Sequence, residues 1–195
     1  MIDYAFYHCE RVIRVVRGDA SALADMDVST HGFWRSFQAI IISVPALFFT
    51  WVTFGKELMA EGVVGDIASI IARQAIIDLV LWLLPVVVLA LAFAPLGLSK
   101  NYPVLIIARN WLSAIVSYLV AAVGLLYVLA PTNAQTFFAF LFLATLMVSI
   151  WMFLRVTLAA LPNNHGIAYA AIVIEVVAVF TLAEMLTGLF GLVPV

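Results

Sequence analysis

From position 33 onward the chain alternates long apolar runs with short polar breaks. The runs cover 33–54, 67–98, 104–130, 136–161 and 167–193. About 20 consecutive, mostly apolar residues in a helix cross the hydrocarbon core of a bilayer, so each run predicts one transmembrane helix. Ahead of them, Phe6, Val12, Ile13 and Val16 alternate with Glu10, Arg11, Arg14 and Arg17, the spacing of an amphipathic helix that Gly18 and Asp19 would end. The expected fold is all-α. A polar amino-terminal segment, 1–32, carries the amphipathic helix and precedes a five-helix transmembrane bundle over 33–195.

The breaks between runs have the chemistry of helix ends. Pro162 and Gly166 bracket the last of them and serve as stop and restart signals. The other expected turns lie at 55–66, with Lys56, Glu57 and Glu61, and at 99–103 and 131–135. Pro45 falls inside the first run and predicts a kinked helix whose freed carbonyl a neighbouring helix satisfies. The second run is composite: 67–78 carries Arg73, Gln74 and Asp78, whereas 79–98 is almost wholly apolar. Trp34, Trp51 and Trp111 flank run ends and read as anchors at the membrane surface, and Trp82 and Trp151 read as core.

Composition sharpens this picture. Hydrophobic residues make up 66% of the 195 positions and charged residues 10%, against roughly 25% charged in soluble domains. The mean hydropathy is +1.19. A net charge of −2 offers no field for nucleic acid, and the single cysteine, Cys9, forms no intrachain disulfide. With the amino terminus in the cytoplasm, Arg11, Arg14, Arg17, Arg35, Lys100, Arg109 and Arg155 fall inside, and only Lys56 and Arg73 fall outside. The positive-inside rule then places the carboxyl terminus outside, on the periplasmic side of a bacterial inner membrane. On the short connectors, successive helices are expected to be antiparallel neighbours.

Six charges interrupt the spans, namely Arg73, Asp78, Arg109, Arg155, Glu175 and Glu184. An ionisable side chain at mid-membrane costs roughly 3 kcal/mol or more unless it is compensated. Depth along each helix pairs Glu175 with Arg109 or Arg155 and Glu184 with Arg73, with Asp78 sharing the outer network or staying wet. Nine positions apart on one helix, Glu175 and Glu184 face opposite ways. Such charges either fix helix register as buried pairs or relay a proton or ion. Arg11, Arg14 and Arg17 point to anionic head groups if the first helix lies on the membrane. If it packs on the protein's own cytoplasmic surface instead, they are ordinary surface charges.

No catalytic constellation, phosphate-cradling loop or cofactor motif is present. His8, Cys9, His31, His165, Asp25 and Asp27 share one predicted side, but their spacing matches no zinc pattern. An amino-terminal segment followed by five spans resembles the general plan of the Yip family, whose Asp-Leu-Tyr-Gly-Pro signature is absent here. The expected activity is non-enzymatic: an accessory, scaffold or assembly protein acting through contacts with lipid and with another membrane protein or further copies of itself. The alternative is a subunit of a small-solute or ion/proton transporter or channel using Glu175, Asp78 and Arg109. Five spans do not divide into two equal halves, so that alternative requires oligomerisation.

Overall fold

The computed structural model describes residues 2–130 and 134–193, which are helical apart from turns. Helix α1 covers Ile2–Val16 and a 3-10 turn follows at Ala20–Leu23. Helices α2 (Thr30–Ser36) and α3 (Gln38–Ala60) form one rod broken only at Phe37, followed by α4 (Ile67–Phe93), α5 (Tyr102–Leu129), α6 (Gln135–Ala160) and α7 (His165–Leu189). The α2–α3 rod and the four helices after it are long and apolar enough to cross a membrane. Leu91, Leu129, Phe140 and Leu189 are among the large apolar side chains on their outward faces. In water such a surface would be unfavourable, and hydrocarbon is its natural solvent. The chain is a multi-pass membrane protein.

Several boundaries differ from the apolar runs. The first span begins three positions earlier than expected and continues through Gly55, Lys56 and Glu57 to Ala60, because Ser29 caps its start by accepting from the Gly32 amide and nothing breaks the helix before Gly62. Helix α4 stops at Phe93 rather than 98, and Pro103 lies in the first turn of α5 rather than in a connector, where its missing N–H removes no helical bond. Helix α7 stops at Leu189. The turn expected at 131–135 lies mostly outside the described residues.

The five long helices close into a ring in the order α3, α4, α7, α6, α5 and back to α3. Helices α4 and α5, expected to be close neighbours, have little backbone contact and meet through the Trp82–Asn110 bond and the Tyr102 hydroxyl on the Val86 carbonyl, because α3 on one side and α6 with α7 on the other complete the circuit between them. At the end of the ring that carries α1, every residue of α5 from 105 to 112 is buried, wrapped by α1, α2, α3 and α6. Val12 and Val15 of α1, Ala22 and Leu23 of the 3-10 turn, and Val156 and Ala160 of α6 join that core. The amino-terminal segment thus shares one core with the bundle rather than forming a layer of its own.

Two arginines close helix ends. Arg155 of α6 donates from Nε to the Val16 carbonyl at the end of α1, beside Gly18, whose φ of +115° turns the chain back there. At the opposite end of the ring, Arg73 of α4 donates to the carbonyls of Phe190 and Val64. A cation at a helix carboxyl terminus satisfies orphan carbonyls and opposes the helix dipole.

Candidate functional site

At the centre of the ring lies a cavity of about 280 Å³ to which all five long helices contribute, through Leu47 of α3, Asp78 of α4, Arg109 of α5, Phe153 of α6 and Glu175 of α7 among others. At 1.5 Å per residue, Glu175 is about 15 Å into α7 and Asp78 is about 16 Å into α4 from the other end, so both lie near the middle of the bundle. Trp82, Asn110, Ser113 and Ser117 complete the polar part of the wall.

Arg109 holds the site together. Its Nη2 donates to Glu175 Oε1, bridging α5 and α7 across the ring, and its guanidinium lies 4.7 Å from the centre of the Phe153 ring. Of the two partners that depth allowed for Glu175, the structure pairs it with Arg109 and not with Arg155. Only 7% of the Arg109 side chain and 13% of the Glu175 side chain are exposed. The pair nevertheless leaves Arg109 Nη1 and Glu175 Oε2 buried without hydrogen bonds. One strong donor and one strong acceptor therefore remain at a single cavity, where native interiors pair nearly every polar atom. Beside them Asn110 is used at both ends: its Oδ1 accepts from Trp82 Nε1 at 3.1 Å, and its Nδ2 donates to Ser36 Oγ at 2.8 Å. That network fixes this part of the wall.

Asp78 enters from the other side. Its Oδ2 accepts from the Trp51 indole N–H at 2.6 Å, and among the described residues no cation pairs with it. Trp51 therefore serves as a hydrogen-bond donor within the bundle, a role its place near a run end did not reveal. The six intramembrane charges do not form one network. Arg73 turns to backbone carbonyls instead of Glu184, which is exposed, and Arg155 turns to α1. Depth alone gave the right height for these residues and not the direction they face around the helix.

The basic residues of α1 have their own partners. Arg11 pairs with Glu10 at 2.8 Å, and Arg14 pairs with Asp19 at 2.5 Å and with Asp25 at 4.0 Å. Arg17 is exposed. The buried face of α1, Ala5, His8, Val12, Val15 and Val16, is occupied by the bundle. His8 stacks on Trp111 of α5 with ring centres 5.6 Å apart and planes 8° from parallel. Burial lowers its pKa to about 4 against a smaller opposing pull from Asp27, so the ring is neutral at pH 7.

No protein-family model, no curated protein and no solved structure matches the chain.

Proposed function

We propose that the chain is a binding and translocation subunit for a small polar solute, ion or proton, with Asp78, Arg109 and Glu175 as its site. The observation that carries this reading is the buried, unpartnered pair Arg109 Nη1 and Glu175 Oε2 at one mid-bundle cavity. A pair retained only to fix helix register would be expected to satisfy its remaining donor and acceptor within the protein, since a half-satisfied buried ion pair is costly. A ligand, or a proton shared with a solute, satisfies both. The orientation read from the basic residues belongs to this proposal: amino terminus cytoplasmic and carboxyl terminus periplasmic in a bacterial inner membrane. So does assembly with further copies or with another membrane protein.

The test is flux into proteoliposomes loaded with a pH-sensitive dye after jumps in proton or methylammonium concentration, and with sodium- or potassium-sensitive dyes after jumps in those ions. Wild-type protein is expected to pass at least one of these faster than Glu175→Gln and Asp78→Asn incorporated at equal folded density. Rates equal to those of empty vesicles for every probe would overturn the proposal. The chain would then return to an accessory or scaffold role, with its charges fixing helix register.

A further inference from the structure

A second chamber of about 290 Å³ adjoins the axial cavity, between α5, α6 and α7. Its lining is of a different kind. Val120, Phe142, Leu146, Ile150 and Phe180 dominate it, and its two hydroxyl groups are spent on their own helix, Thr145 on the Leu141 carbonyl and Ser149 on the Thr145 carbonyl. Glu175 is its only charged residue. Val116, Phe153, Glu175 and Val179 line both spaces and form the partition between them. A chamber bearing Asp78, Arg109 and Glu175 and one with Glu175 alone thus meet at a carboxylate with one free oxygen.

From this juxtaposition we infer that the occupant is an amphiphilic amine, with its ammonium head between Asp78 and Glu175 and its hydrocarbon chain in the α5–α6–α7 chamber. The inference rests on the axial cavity being a binding site, as proposed above. Charge selects the head. Glu175 answers the charge of Arg109, whereas Asp78 has an indole N–H and no cation, so the cavity's unmet need is positive. Both carboxylates line this cavity, where an ammonium can donate to Asp78 or to the free Oε2 of Glu175, and a hydroxyl beside it can accept from Arg109 Nη1. Lining selects the tail. With its hydroxyl protons bonded within α6 and Glu175 as its only charge, the second chamber is mostly apolar and suits methylene groups.

The experiment is displacement of radiolabelled methylammonium from protein in nanodiscs at pH 7 by methylamine, butylamine and octylamine. In the wild type each added methylene is expected to tighten displacement by up to about fourfold, the ratio that a transfer gain of ~0.8 kcal/mol per CH₂ gives. Ser149→Leu and Thr145→Leu fill the second chamber and are expected to leave methylammonium binding unchanged while lowering the octyl-to-methyl ratio at least tenfold. Uptake of long amines by the bilayer is the same in every variant and cancels from that comparison. Asp78→Asn and Glu175→Gln are expected to weaken methylammonium binding at least tenfold. An octyl-to-methyl ratio unchanged in both leucine variants would overturn the tail assignment. Wild-type protein that fails to bind methylammonium, or carboxylate variants that bind it as well as wild type, would overturn the head assignment. Neither failure touches the flux of another ion, which judges the proposed function separately.

Discussion

Arg73 Nη1 lies 2.8 Å from the carbonyl oxygen of Phe190, a residue 117 positions later, while its Nη2 holds the Val64 carbonyl at 2.9 Å. One guanidinium thus closes the end of α7 and pins the connector before α4. Gly65 makes room for it: φ there is +132°, and a Cβ would stand 2.6 Å from Arg73 Nη2. Gly65→Ala is expected to cost about 1–2 kcal/mol, from backbone strain and displacement of the arginine. Arg73→Leu should cost a similar amount by leaving carbonyls unpaired. Because part of the alanine's effect acts through Arg73, the double variant should fall short of the sum in denaturant titrations in mild detergent.

The Arg109–Glu175 pair predicts a non-additive cycle. Arg109→Met or Glu175→Met alone strands the other charge in the bundle and should cost about 3–5 kcal/mol, whereas the double replacement removes both charges and should recover most of that loss. Unfolding measurements on the four proteins check this. Two single losses that simply add would mean that the groups do not interact.

Acid should loosen α1 through His8. Its folded-state pKa, about 4, lies below the ordinary 6.5, so the unfolded chain binds the proton more readily. The stability held by the neutral ring is therefore complete above about pH 6.5 and is lost as pH falls towards 4, with an upper size on the order of 3 kcal/mol. Asp27, which favours the protonated ring, and Arg11 and Arg35, which oppose it, are the charges that bear on this titration. His8→Phe keeps an aromatic ring against Trp111 and should flatten the stability profile between pH 6.5 and 4.

Two glycines predict opposite outcomes. At Gly32 a Cβ would fall 2.1 Å from the backbone oxygen of Asp27, so Gly32→Ala must displace the turn that starts α2 and should sharply reduce the yield of folded protein on size exclusion. Nothing stands within 4 Å of a Cβ at Gly166, in the first turn of α7. Gly166→Ala should leave the fold intact and raise stability by about 0.5–1 kcal/mol.

Much of this architecture was legible in the sequence because apolar length is a one-dimensional signal. The runs gave five helices, and Pro162 with Gly166 marked the break before α7. Rise per residue likewise brought Glu175 level with Arg109. What a single chain does not encode so openly is azimuth around the ring. Arg73 and Glu184 share a height but not a direction, and Trp51 looked like a surface anchor until α3 and α4 brought it to Asp78. The axial cavity was equally hidden. Its lining is gathered from all five long helices, and no local spacing records that they close a ring.

The bond from Arg155 to Val16 also sets an order of events during synthesis. Helix α1 is made before the α5 and α6 surfaces that share a core with its Val12 and Val15, and the α6 part of that surface is the later of the two. At roughly 5–20 residues per second, the 139 positions between the bonded residues take on the order of ten seconds to appear. Throughout that interval the part of the α1 stripe that α6 covers stays open, and completion of the fourth span closes it.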